Sequence, residues 1–162
     1  VHDLLPNRVG GAVLQKNLET LGDIQYTQEE IDFALELQRN NGKPEIGIDG
    51  KIRPLRETLN SPGGGSTDSG DVSYNVPVVS LAATTAPKGV PWHSWSVVAS
   101  SGMSIGHKGM LHAAKALGMT MVDIFKDSKL RENIKKEFDE KIGEYEYDPY
   151  LDPGPPPIDY VD

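Results

Sequence analysis

One imidazole stands between two indoles in the stretch Gly89-Val90-Pro91-Trp92-His93-Ser94-Trp95. Two readings of His93 are open: a packed structural ring, or a ligand presented to a metal ion or substrate. The flanking tryptophans could fix the ring and keep water from it, which tunes a ligand's basicity. The chain has no cysteine, so any metal site must draw on His, Asp and Glu. Asp68 and Asp71 are candidate carboxylate partners. They lie in a second stretch, Gly63-Gly64-Gly65-Ser66-Thr67-Asp68-Ser69-Gly70-Asp71. Its glycines allow close backbone approach, Ser66 and Thr67 add hydroxyls, and amides around Gly65 to Thr67 could cradle a carboxylate. The competing reading is a turn with a helix cap. No Gly-Lys-Ser/Thr follows, which excludes a nucleotide phosphate loop. His107 and His112 are five residues apart and fall on different helix faces, so they are no zinc pair.

These residues need elements to hold them. A helix is expected over residues 7–21, with Asn7 as N-cap and Gly22 as its stop. Thr27-Gln28-Glu29-Glu30 spells a capping box. Ile31, Ala34, Leu35 and Gln38 mark the face of the helix that follows, widened by Phe33 and Leu37. Residues 41–66 show no sustained period and read as a long connection. Val76-Pro77-Val78-Val79-Ser80-Leu81-Ala82-Ala83 suits a buried strand. A long helix from Ser104 to about Phe125 is expected to bury Leu111, Ala114, Leu117, Met121 and Ile124. Asp127-Ser128 breaks it and caps a last helix with Leu130, Ile134 and Phe138 inward. Residues 144–162 form an acidic, tyrosine-bearing, proline-rich tail. One strand cannot satisfy its own backbone groups, so further strands must come from 41–60 or from sequence outside this chain.

With 162 residues, 37% hydrophobic and 25% charged, the chain is long enough for one packed domain. A net charge of −8 argues against nucleic acid or an anionic membrane as partner. No apolar run approaches a membrane span, and no signal-peptide pattern is present. The chain starts at Val1, and "VHDLLPN" reads like the interior of a longer protein.

Taken in order, "GGGSTDSGDVSYNVPVVSLAA", "GVPWHSW" and "SGMSIGHKGMLHAAKALGMTMVDIF" resemble the C-terminal part of M20-type metallo-amidohydrolases, nearest the aminobenzoyl-glutamate utilisation protein B group. The opening "LLPNRVGGAVLQKNLETLG" is similar to the helix that re-enters the catalytic domain after the family's lid. The resemblance covers roughly residues 4–142. It implies an α/β fold, the C-terminal part of a zinc-exopeptidase-like catalytic domain with helices on a mixed sheet. Residues 1–6 would be the lid connector, 7–143 the catalytic part and 144–162 the tail. It implies hydrolysis of amide bonds in small N-acyl amino acids or dipeptides, with two divalent ions, zinc or else manganese or cobalt. His93 stands at a metal-ligand position. Gly64, Gly65, Ser66, Thr67 and Asp68 match the substrate-seating loop.

The family's remaining metal ligands and its general base have no counterpart here, and Ser94-Trp95-Ser96-Val97 stand where many relatives place an acid after the histidine. The chain is therefore read as a C-terminal fragment, inactive alone, that self-associates through surface left uncovered, in a protein expected to be cytoplasmic. The rival reading is a non-catalytic domain that binds a peptide or an anion through the glycine loop and the tryptophans.

Overall fold

The computed structural model describes residues 2–56, 67–150 and 154–155. Among them are six helices: α1 (Arg8–Leu21), α2 (Gln28–Asn40), α3 (Ser69–Ser73), α4 (Trp95–Ser101), α5 (Ser104–Lys126) and α6 (Ser128–Ile142). Leu14, Ala34, Leu37, Ile105, Ala116 and Ile134 are the buried aliphatic centre.

The caps follow the sequence closely. Asn7 opens α1: its side-chain oxygen accepts from the Gly10 amide at 2.9 Å, and its Nδ2 donates to the Ile134 carbonyl at 2.9 Å, which ties α1 to α6. The first amides of α1, Arg8 and Val9, donate to the two oxygens of Glu137 on α6, each at 2.8 Å. Burial alone would push the Glu137 carboxyl up. Lys141 and these two amides outweigh it and hold the group below its usual range. Thr27 and Glu30 form the reciprocal capping box at the start of α2. Asp127 ends α5 and caps α6 through the Leu130 amide. Ser104 is the first residue of α5, whose N-cap is Met103.

No strand forms among the described residues, so the expected α/β arrangement with helices on a mixed sheet is incorrect. Residues 77–87 form no regular element, and among the described residues none of their backbone groups joins a backbone–backbone hydrogen bond. The β-branched run favours extension, but a ladder needs a second strand alongside, and the connection after α2 supplies none. Isolated backbone bonds, from the Ile24 amide to the Gly50 carbonyl and from the Lys88 amide to the Gly47 carbonyl, hold that connection together with side chains. Gln38 is fully buried; its Oε1 accepts from the Ile46 and Gly47 amides and its Nε2 donates to the Gly47 and Lys88 carbonyls. Thr84 Oγ1 donates to the Asp49 carbonyl.

The inner face of α5 also differs from expectation. Ile105, Gly106, Gly109, Ala116 and Thr120 are buried, whereas Leu111, Leu117 and Met121 are exposed. Close approach decides the face. A Cβ on Gly109 would run into the Thr84 carbonyl, and one on Gly106 into Ser101, so α5 docks through its small residues. On the same side Asn17 Nδ2 of α1 donates to Thr120 Oγ1 and to the Asp123 carboxylate.

Candidate functional site

The last turn of α2 grips the histidine loop from both flanks. Gln38 Nε2 holds the Lys88 carbonyl at 2.8 Å just before the loop, and Asn41 Nδ2 donates to Ser96 Oγ at 2.6 Å just after it. Between these anchors Gly89 takes φ 79°, Val90 is buried, and Ser94 Oγ donates to the Pro91 carbonyl. The chain then enters α4, and Gly106 lets α5 fold back tightly against its end.

At the crown of this loop His93 has φ 58°, the one non-glycine residue with positive φ among those described. Histidine tolerates the left-handed region better than branched residues do, but the conformation still costs energy that the surroundings must supply. The ring is exposed, as are Trp92 at 71% and Trp95 at 56%. His93 is thus a presented side chain, not a filler of apolar interior. A groove of about 1440 Å³ runs from Arg8 and Leu14 of α1 past Arg53, Val79 and Trp92 to His112; His93 is outside its lining.

Thr67 and Asp68 lead into α3 and are exposed. Thr67 Oγ1 accepts from the Ser69 amide at 3.3 Å and pairs with the Ser69 hydroxyl at 3.1 Å. Gly64, Gly65 and Ser66 lie outside the described residues. A pair of divalent ions needs several ligands within about 2.3 Å of each ion. Among the described residues no three His, Asp or Glu side chains come together, so these residues by themselves do not fit a two-ion centre. They offer His93 as a single imidazole.

His112 has structural work, whereas no role is shown for His107. His112 Nε2 donates to the Gly22 carbonyl at the end of α1, at 2.8 Å, and His107 is exposed on α5. Sequence reasoning gives little weight to His2, near the start of the chain, whose ring joins Asp71 and a group of tyrosines. The dense tyrosines at 145, 147 and 150 are the available signal. Among the described residues no helix is long and apolar enough to cross a membrane.

Comparison with known proteins finds a curated relative. It is 33% identical over 157 residues to the B-type subunit of p-aminobenzoyl-glutamate hydrolase from Escherichia coli (strain K12), a match covering 82% of this chain and 33% of that protein. The relationship is therefore to the family of that aminobenzoyl-glutamate hydrolase component, and the chain spans about a third of the length of the relative it matches. No family model matches the sequence, and no solved structure matches it.

Proposed function

We propose that this chain carries the histidine loop and part of the substrate loop of an amide-hydrolysing enzyme acting on small N-acyl amino acids of the aminobenzoyl-glutamate type. The observation behind this reading is the His93 loop: an exposed imidazole in a strained turn, braced on both flanks by α2, in a chain related to a hydrolase component. A neutral imidazole presented this way can donate a lone pair to a divalent ion. Zinc, manganese or cobalt would suit such a ligand, and each would need further ligands beyond the described residues. Gly64, Gly65, Ser66 and Thr67 would seat the acidic end of the substrate, with hydroxyl and amide donors in place of another charge, and Asp68 would be the acidic member of the same substrate loop.

The test is hydrolysis of p-aminobenzoyl-glutamate by this chain alone and by a polypeptide that includes it together with upstream coding sequence. The chain alone is expected to be inactive. In the longer polypeptide chelator abolishes turnover, His93→Ala lowers kcat/KM at least ~100-fold, and Thr67→Val raises KM more than it lowers kcat. Full activity of the His93→Ala variant refutes the assignment.

A further inference from the structure

His2 sits in a ring of aromatic side chains contributed by distant parts of the chain. Its side chain is 9% exposed. Nδ1 lies 2.8 Å from Asp71 Oδ1 of α3, and because an ionised carboxylate only accepts, Nδ1 carries the proton. Nε2 pairs with the Tyr145 hydroxyl, also at 2.8 Å. Tyr147 donates its hydroxyl to the same Asp71 oxygen at 3.1 Å. Tyr150 stacks on the imidazole, with centroids 4.5 Å apart and planes 5° from parallel, while Tyr74 at the end of α3 closes another side at 5.0 Å. The backbone is fitted as closely: a Cβ on Gly70 would strike the His2 carbonyl, and the Leu5 amide donates to Ser73 Oγ at 2.8 Å.

We propose that residues 2–5, α3 and residues 145–150 form a histidine-centred clasp, in which His2 is a positioning residue that holds the C-terminal segment against α3. Because α3 follows directly on Thr67 and Asp68, the clasp fixes the exit of the glycine loop; its bearing on catalysis rests on the substrate-seating role proposed above, while the clasp itself rests on geometry alone. The imidazole is suited to this place because it bonds in two opposite directions in one plane and offers both faces to aromatic rings. A phenylalanine would keep the stacking and lose both hydrogen bonds; an alanine would lose everything.

The test is amide hydrogen exchange, read by mass spectrometry on the whole chain, with limited proteolysis of the tail in parallel. His2→Phe should raise exchange of the 68–76 amides ~10-fold or more and speed cleavage within 144–150, leaving α5 and α6 unchanged. Tyr145→Phe, a milder change, should give a smaller effect in the same two places. Unchanged exchange in α3 overturns the clasp, as does uniform loosening of every helix in both variants. In a polypeptide active on the amide, His2→Phe should raise KM with kcat nearly kept. Absence of any such activity would refute the hydrolase reading and leave the exchange result standing.

Discussion

Replacing Lys108 should weaken the fold in a way that depends on pH, through Glu30. Lys108 Nζ on α5 lies 2.6 Å from Glu30 Oε2 at the start of α2 and donates to the Gln25 carbonyl at 2.9 Å. It stands 5.6 Å from the ring centre of Tyr26, whose hydroxyl is pushed up to about 12 by burial and by Glu30 and Asp49, so it stays neutral and does not compete for the ammonium. Burial alone would raise the Glu30 carboxyl. Hydrogen bonds from Lys108, Ser104 and the Thr27 amide outweigh it and bring the group from 4.5 down to about 2. A carboxyl depressed by folding stabilises the folded state above its unfolded value and loses that contribution as pH falls through the folded one. At ~1.4 kcal/mol per unit the full difference is roughly 3 kcal/mol. Ser104 and the Thr27 amide share in that difference and Lys108 is 34% exposed to screening, so the part expected from Lys108 is roughly 2 kcal/mol at most.

Lys108→Met should therefore cost up to roughly 2 kcal/mol at pH 7, hold that penalty down to about pH 5, and lose most of it towards pH 2. Urea unfolding followed by circular dichroism at several pH values measures this, with Glu30→Gln and the double variant closing a thermodynamic cycle. A penalty that stays constant from pH 7 to pH 3, or a coupling energy below ~0.5 kcal/mol, would refute the account. The consequence reaches the site, because α5 is locked to α4 at Gly106 and α4 begins two residues after His93.

Asn7→Ala removes the α1 cap and the bond to the Ile134 carbonyl together, and should lower stability by roughly 2 kcal/mol in the same urea assay. Gly109→Ala places a methyl against the Thr84 carbonyl and Thr85; it should cost roughly 1–3 kcal/mol despite alanine's better helix propensity, and a neutral or stabilising result would mean that α5 does not dock there. The exposed row Met110, Leu111, Leu117, Met121, Val122 and Phe125 on α5 should drive pairing of two copies, burying on the order of 1,200 Å² in all, near the lower bound for a stable interface. Sedimentation should show a concentration-dependent dimer that Met121→Asp abolishes; a strict monomer at high concentration would contradict this.

What can be read from the sequence is local. Thr27 and Glu30 three residues apart, Asn7 before α1, and Asp127 between two helices all satisfy amides within one turn, so their spacing is sufficient information. The inner face of α5 escapes such a reading because hydrophobicity assigns burial to the large residues, while the docking surface is set by how near Gly106 and Gly109 let the backbone come. The seven residues of α4 carry too short a period to stand out from the loop that precedes them. Val76 to Ala83 has the composition of an extended segment, but pairing is a property of two segments and propensity belongs to one. Asp71 and Tyr145 reach His2 across separations of 69 and 143 residues, which no local pattern encodes.

The His93 loop joins the two kinds of information. Its own residues encode the turn: Gly89 at positive φ, Pro91 fixing φ, and a histidine in place of a branched residue where the chain turns left-handed. Its placement is encoded elsewhere, in two amide side chains three residues apart at the end of α2. Gln38 and Asn41 lie on one face of that helix, one turn along, and each reaches a different end of the loop. A helix is stiff at this scale, so the distance between the two anchor points is set by its rise, not by the loop. The loop is thus suspended from a rigid bar, and the energy that holds His93 in its unfavourable conformation comes from α2 and the buried Val90. This separates the backbone position of His93 from whatever faces it. A ligand meeting His93 would find a loop whose backbone needs little ordering on binding.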